Sequence, residues 1–486
     1  MSRILQRQHP EIIARTAARC RERGVVIPTF RQLRDPSLVP AALRARLPGV
    51  GLHEVNPLNL FRITWKNDLA TGGYGGVNCF EVPREITGLR ARVIGLTGRA
   101  FPTGAHKVGA AFGCLVPRLV SGEFDPARQK AAWPSTGNYC RGGAFDCAVL
   151  GCTAVAILPE RMSRERFEWL RQIGAEIIAT PGCESNVKEI YDKCWELKRD
   201  PGHVIFNQFE EFGNPLFHYN VTGPACAEVF AGLGDPRVRL AAFVSATGSA
   251  GTLATGDYLK RHHPGLRIVA TEALQCPTLL CNGFGDHRIE GIGDKHVPWV
   301  HNVRNTDAVA AIDDEDCLRL LRLFNEPAGR AHLAAHGVAV DALDRLPWLG
   351  ISGIANLLAA IKTAKFFEFD ERDVIFTVFT DSLDLYRSRL AELTAERGPY
   401  RAPDAIADLA GPLAHQGVEH FKELGYHDRK AIHHLKYFTW VEQQGRTSRE
   451  LTEQWDPDYW RQLFEEEVGT FDALIEAFNA TVGASS

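Results

Sequence analysis

No two cysteines in this 486-residue chain are spaced Cys-x-x-Cys, which removes the commonest sequence sign of a structural zinc site or a dithiol redox centre. The twelve cysteines run from Cys20 to Cys317, several inside apolar stretches such as Cys147 to Ile157. Neither a structural metal nor a disulfide framework is expected, and they read as buried small hydrophobes. No apolar run approaches the roughly 18 residues of a membrane span, and the start, Met1 to Gln8, is largely polar. A cytoplasmic protein with no membrane partner is expected. Charge of one sign is also lacking: 23% charged residues, 45% hydrophobic residues and a net charge of −4 describe an ordinary globular protein. That balance does not ask for nucleic acid as a partner. The glycine cluster Gly72 to Gly76 has no Lys-Ser or Lys-Thr after it, so it is a turn and not a P-loop. Tandem repeats and low-complexity tracts are absent.

What is present is rhythm. From Arg92 onward, short β-branched and apolar runs appear at Val93 to Leu96, Thr153 to Leu158, Glu176 to Ala179, His203 to Phe206, Ala241 to Val244, Ile268 to Thr271 and Val374 to Phe379. They read as buried strands. Amphipathic helical stretches lie between several of them. One is capped by Ser163, carries Phe167, Leu170 and Ile173 on one face, and stops at Gly174. Strand and helix alternating in this way predict an α/β fold with mostly parallel sheets, whose ligands sit where strand ends enter helices. The chain is long enough for two or three domains. The expected division is an N-terminal segment over 1–94, a smaller α/β domain over 95–220, a larger one over 221–398 and a helical extension over 399–486.

Four segments at such crossings are candidates for chemistry, though by itself the first is as easily a solvated surface lysine and the fourth as easily an ordinary polar turn, and a tight turn is the alternative for the third. Pro102-Thr103-Gly104-Ala105-His106-Lys107-Val108-Gly109 follows the first strand and precedes a helix starting near Ala110; burial at such a crossing lowers a lysine's pKa and makes it a usable nucleophile toward an aldehyde. Ser135-Thr136-Gly137-Asn138-Tyr139 precedes a helix over 142–150 and offers N–H groups and hydroxyls to a carboxylate, or is a capped turn. Ala246-Thr247-Gly248-Ser249-Ala250-Gly251-Thr252 follows the strand at Ala241 to Val244. Its small residues let amides converge on a phosphate, without the glycine spacing of a dinucleotide fingerprint. Thr380-Asp381-Ser382-Leu383-Asp384 follows the last strong strand, where a polar group could meet the far side of a ring whose phosphate the third segment holds.

In this order the four segments resemble the fold type II pyridoxal-phosphate enzymes, closest to the cysteine synthase and cystathionine β-synthase group, over roughly residues 80 to 390. Two more stretches share the likeness. Asn207-Gln208-Phe209 through His218-Tyr219 and Thr222-Gly223-Pro224 looks like the segment linking the two domains, and Glu290-Gly291-Ile292-Gly293 like the loop at the active-site entrance. The Thr-Gly-Ala-His-Lys wording is also similar to tryptophan synthase β subunits, but the linking stretch favours the cysteine synthase side. The resemblance implies two three-layer domains and pyridoxal 5′-phosphate as cofactor. It places the Schiff-base lysine at Lys107, the phosphate cup at Gly248, Ser249, Ala250, Gly251 and Thr252, the contact to the phenolic oxygen at Asn138 and the partner of the pyridine nitrogen at Ser382. The substrate carboxylate falls to Ser135, Thr136, Gly137, Asn138 and Tyr139.

The implied activity is β-elimination or β-replacement on a small serine- or cysteine-derived amino acid, with a thiol or another nucleophile as possible second substrate and a homodimer or higher homo-oligomer as assembly. An ammonia-lyase or dehydratase acting on serine, threonine or a diamino acid is the alternative within enzymes. A catalytically silent cofactor-binding partner is the alternative outside them. The sequence departs from the group's pattern at Thr136, Tyr139, Cys140 and Ala250, and the bulk of Tyr139 is expected to reshape the carboxylate pocket. Asp381 and Asp384 rival Ser382 for the pyridine nitrogen. The extension, with Trp440, Trp455, Trp460 and His433-His434, reads as a packing or oligomer appendage and not as a metal site.

Overall fold

Each of the seven runs singled out in the sequence forms a strand in the computed structural model, which describes residues 4–5, 8–135, 137–183, 186–293 and 295–483. In chain order the strands are β1 (Cys79–Val82), β2 (Arg92–Thr97), β3 (Lys130–Pro134), β4 (Thr153–Pro159), β5 (Glu176–Thr180), β6 (His203–Ile205), β7 (Arg239–Ala246), β8 (Arg267–Ala273), β9 (Ala308–Ile312), β10 (Asp373–Phe379) and β11 (Phe421–Glu423). They build a seven-stranded sheet, β1-β2-β10-β7-β8-β9-β11, and a four-stranded sheet, β5-β4-β3-β6. The smaller sheet is parallel throughout. In the larger one only the edge pairs β1/β2 and β9/β11 are antiparallel. Every residue of β10 is buried, as expected for a central strand of a parallel sheet covered on both faces.

Strand order assembles the site. The ends of β2 and β10 are flush, with Phe379 paired to Thr97, and β7 lies on the other side of β10. The segments after β2, β7 and β10 therefore open side by side at one sheet edge, while β3 of the smaller sheet feeds the remaining one, which starts at Ser135, toward them. Because β2 belongs to the larger sheet, the expected boundary at residue 95 passes through one of its strands. The chain enters the smaller sheet at β3 and leaves it after β6.

Two helices begin earlier than their sequences suggest. Lys107 is the first residue of Lys107–Ser121, and Asn138 the first of Asn138–Leu150. Functional groups thus sit where N–H groups lack intrahelical partners. The Arg164–Gln172 helix follows Ser163 as expected, but Ser163 makes no side-chain cap; its N–H donates to Glu290 Oε2 at 3.2 Å.

The C-terminal region is not helical throughout, since Phe421–Glu423 pairs with β9 and extends the larger sheet, with Phe421 packed on Phe366 and Phe367. Its last helix, Glu467–Val482, clasps the N-terminal segment. Arg21 Nε donates to Val482 O at 2.7 Å, the Asn479 amide bonds both backbone groups of Ile27, and Asp472 accepts from Phe30 N at 2.6 Å. Farther in, the wholly buried Lys436 amine donates to the carbonyls of Trp299 (2.9 Å) and His301 (2.7 Å) and to Gln454 Oε1 (2.7 Å). Trp440 Nε1 donates to Val297 O at 2.9 Å. The region thereby buttresses the stretch that follows Glu290-Gly291-Ile292-Gly293.

Eight of the twelve cysteines are buried and Cys281 is exposed. Among the described residues no group of three or more His, Cys, Asp or Glu could hold a metal ion. Also among them, no single helix is long and apolar enough to cross a membrane; one bent pair, Val340–Trp348 with Ile351–Phe366, meets that test by length and composition, and most of its second helix lies in the buried core.

Candidate active site

The chain approaches Lys107 through a costly backbone. Thr103 has φ +72° and Gly104 φ +71°, and a β-branched residue in the left-handed region is a genuine outlier that surrounding contacts must hold. Arg141 supplies one such contact, donating from Nη2 to Thr103 O at 2.9 Å. Lys107 Nζ then reaches across to the loop after β7 and donates to Ser249 Oγ at 3.3 Å. Asn214 Nδ2, from the segment that joins the two sheets, donates to the same oxygen at 3.0 Å. A serine oxygen offers two lone pairs, so both are taken and its own O–H is left to donate.

The loop holding Ser249 is the one the sequence marked as a phosphate cup. Thr247 anchors its start, with N and Oγ1 both bonded to Thr271 O at 2.7 and 2.9 Å. A Cβ on Gly251 would run into the Asn214 amide, and one on Gly248 would stand 3.2 Å from Gly291 O, so side chains there would fill the hollow. Thr252 follows Gly251 in the short 3-10 turn Gly251–Leu253. Ala250, the departure noted in the sequence, adopts φ +62°, where an L side chain costs roughly 1–2 kcal/mol. Ala250→Gly is expected to raise the denaturation midpoint of the cofactor-free protein, by about 1 kcal/mol once glycine's looser unfolded chain is subtracted. A lowered midpoint would mean that the alanine methyl packs favourably enough to offset its backbone cost.

In the segment after β3, Gly137 N donates to Ser135 Oγ at 3.1 Å. Gly137 has φ +149°, and a Cβ there would collide with the Arg166 guanidinium. Thr136 lies outside the described residues. Asn138 is buried, with Nδ2 donating to Asp381 Oδ2 at 2.7 Å. Tyr139 departs from expectation: its side chain is packed inside the core against Trp133, ring centroids 5.3 Å apart, with its hydroxyl beside Cys114. It turns inward because the second position of this helix faces the apolar layer under the smaller sheet. Burial raises that hydroxyl's pKa well above the usual tyrosine value.

In the segment after β10 the two aspartates divide. Asp381 is fully buried and accepts from Asn138 and, at 2.7 Å, from the Tyr386 hydroxyl. Burial pushes its pKa up, against the pull of Arg166 and its two hydrogen bonds. Asp384 is largely exposed and ion-paired with Arg387 at 2.6 Å. Ser382 lies between them, buried, with Oγ 3.2 Å from Asp384 Oδ2.

Other groups here were not singled out by motif. His106, next to Lys107, is buried between Trp65 and His218, with ring centroids at 5.6 and 5.1 Å. Neither of its ring nitrogens is hydrogen-bonded, and burial followed by the nearby Lys107 charge pushes its pKa down to about 3. It is a neutral imidazole. Asn214, Arg141 and Arg166 also escaped notice: Asn214 and Arg141 are polar residues in mostly apolar helices, and Arg166 is one of three arginines on a charged helix recognised only by its apolar face. At Glu290 the chain borders a cleft of about 520 Å³, lined by Arg161 and Met162 on one side and by His287, Arg288 and Arg389 on the other.

Residues 98–381 match the family described as pyridoxal-phosphate dependent enzyme, and the chain belongs to that family. Within it the chain is similar to a cysteine synthase of Staphylococcus aureus, 32% identical over 256 residues that cover 52% of this chain and 74% of the relative. It is also similar to the cystathionine β-synthase of Saccharomyces cerevisiae, 29% identical over 323 residues, 64% of this chain and 60% of the other. The solved structure of an O-acetylserine dependent cystathionine β-synthase from Helicobacter pylori shares the fold, with a TM-score of 0.53 at 24% identity, covering 64% of this chain and 94% of that one. The side chains suit pyridoxal phosphate: a primary amine, Lys107, beside a small-residue cup edged by Ser249 and Thr252 meets the needs of an aldehyde and a phosphate on one molecule.

Proposed function

We propose that the chain catalyses β-replacement or β-elimination on a small amino acid derived from serine or cysteine, with a thiol or similar nucleophile as second substrate. The observation that carries this reading is the Lys107 amine bonded to Ser249 in the cup, on a sheet edge shared with Ser382. Bound, the cofactor supplies an electron sink for bonds broken at the substrate's Cα.

The protein's own groups divide the remaining work. Lys107 would hold the cofactor, and its amine would be the base for the Cα proton. Gly248, Ser249, Ala250, Gly251 and Thr252 hold the phosphate. Asn138 meets the phenolic oxygen, and Ser135, Thr136, Gly137 and the backbone of Asn138 and Tyr139 receive the substrate carboxylate. Ser382 would meet the ring nitrogen, since Asp381 is engaged by Asn138 and Tyr386 while Asp384, to which Ser382 donates, is largely exposed and paired with Arg387. A neutral hydroxyl there delivers no full proton, which limits charge delocalisation into the ring and suits loss of a β substituent over transamination.

Purified holoenzyme mixed with a panel of amino acids, including O-acetylserine, serine and cysteine, tests the reading. A change in the visible spectrum with O-acetylserine, and a new amino acid formed when a thiol is added, are expected. Ammonia and keto acid released from serine or threonine with no use of a thiol would select the dehydratase instead, and a spectrum that no amino acid changes would leave a silent binder.

A further inference from the structure

We propose that Asp381 and Arg166 are positioning residues that fix the side-chain amide of Asn138 across the cleft between the two sheets. This rests on the reading of Asn138 as the group that meets the cofactor's phenolic oxygen.

An asparagine amide can present either its oxygen or its nitrogen to a cleft, and only its neighbours decide which. At Asn138 both neighbours are one-sided. Asp381 Oδ2 accepts from Nδ2 at 2.7 Å, and Arg141 Nη1, which can only donate, lies 3.4 Å from Oδ1. Turning the amide over would set its oxygen against a carboxylate and its N–H groups against a guanidinium. The arrangement leaves the second N–H of Nδ2 as the group available to an acceptor oxygen.

Asp381 is in turn held from the other sheet's side. Arg166, entirely buried on the Arg164–Gln172 helix of the smaller sheet, donates from Nη2 to the Tyr386 hydroxyl at 2.8 Å, and that hydroxyl donates to Asp381 Oδ2 at 2.7 Å. Nη2 is itself 3.9 Å from Asp381 Oδ2, and Nε is 3.2 Å from Glu290 Oε2. One guanidinium of the smaller sheet is thus bracketed by two carboxylates carried on loops of the larger one. Further bonds tie the same helix start across the cleft: Ser388 donates to both oxygens of Glu165 (2.7 and 2.6 Å), and Arg389, which also holds Glu290 Oε1 at 2.5 Å, donates from Nη2 to Arg161 O. Buried ion pairs add little net stability but are costly to break from one side, so this cluster specifies one relative placement of the two sheets. That placement is the one in which Asn138 faces Asp381.

A double-mutant cycle between Asp381→Asn and Asn138→Ala tests this, read by the holoenzyme's visible absorbance maximum, by the cofactor dissociation constant and by kcat and KM separately. Asp381→Asn alone is expected to shift the absorbance maximum and lower kcat by about tenfold or more, with KM changed less than about threefold, as for a group misaligned and not removed. Added to Asn138→Ala it is expected to leave the absorbance maximum unmoved and to change kcat by no more than about twofold, because the amide it positions is gone. Tyr386→Phe, which keeps the ring and removes the hydroxyl between Arg166 and Asp381, serves in the same cycle if Asp381→Asn does not fold. Losses that multiply in the double variants, or single variants with a wild-type spectrum and kcat, would overturn the proposal. A wild-type protein that binds no pyridoxal phosphate would sink the cofactor reading itself, before any variant is compared.

Discussion

Replacing Lys107 by alanine is expected to lower kcat by about 10³-fold or more, since a positioned base alone contributes roughly 10²–10⁴ and the proposed function makes this residue the cofactor's anchor as well. Lys107 Nζ is the amine bonded to Ser249 Oγ, which also accepts from the neutral amide of Asn214. Borohydride treatment of wild-type holoenzyme, followed by peptide mapping, should leave the added mass on the peptide containing Lys107, and Lys107→Ala should carry none. Cofactor can still enter the variant's cup, because Ser249, Thr252 and the backbone are untouched, so weakened but measurable binding with activity near background is the expected pairing. A reduced adduct on another lysine, or turnover within tenfold of wild type, would refute the assignment.

The second large effect is expected at Gly98, which no chemical argument singles out. It is the residue after β2, and a Cβ there would stand inside the van der Waals radius of Thr380 O and 3.0 Å from His106 N. Both obstacles are backbone, so neither can rotate away. The same two residues are joined by a hydrogen bond from His106 N to Thr380 O at 3.4 Å, which ties the approach to Lys107 to the approach to Ser382. Gly98→Ala must push those two approaches apart. Overpacking of this kind costs about 1–3 kcal/mol, and a displacement of the order of 1 Å at reacting groups costs roughly 10²-fold in rate. A lowered denaturation midpoint together with a large loss of kcat is therefore expected. Gly49→Ala, with nothing within 4 Å of the added methyl, is the control and should stay within about 0.5 kcal/mol. If Gly98→Ala matched that control in both measurements, the close approach of the two loops would not be a feature of the folded protein in solution.

The strands that the sequence showed and those it hid differ in composition. β2, β4, β7, β8 and β10 each contain β-branched or aromatic runs, which fit a pleated buried surface and stand out against helix formers. β3, Lys-Ala-Ala-Trp-Pro, and β9, Ala-Val-Ala-Ala-Ile, are rich in alanine, whose local preference is helical. They are strands because neighbours on both sides supply ladders, β4 and β6 for β3 and β8 and β11 for β9. β11 was hidden for a related reason. Three residues are too few for any periodicity, and their pairing with β9 joins positions more than 100 apart in the chain.

The reactive pieces were visible as words in the chain. A lysine after a strand, a loop of small residues and hydroxyls, and a polar strand end are local compositions, and in that order they carry the family resemblance that implied the chemistry and the cofactor. Where a side chain points is not local. Tyr139 belongs to the carboxylate loop by position, yet it turns into the core against Trp133. Asp381 sits beside Ser382 by position, yet it is spent on Asn138 and Tyr386. Sequence by itself thus determined which groups are present and at which strand ends they emerge, because strand and turn preferences act over a few residues. Only the tertiary structure decided which of those groups face one another across the cleft, because that depends on the packing of two sheets whose contacting residues, such as Asn138 and Asp381, are joined by no short-range interaction.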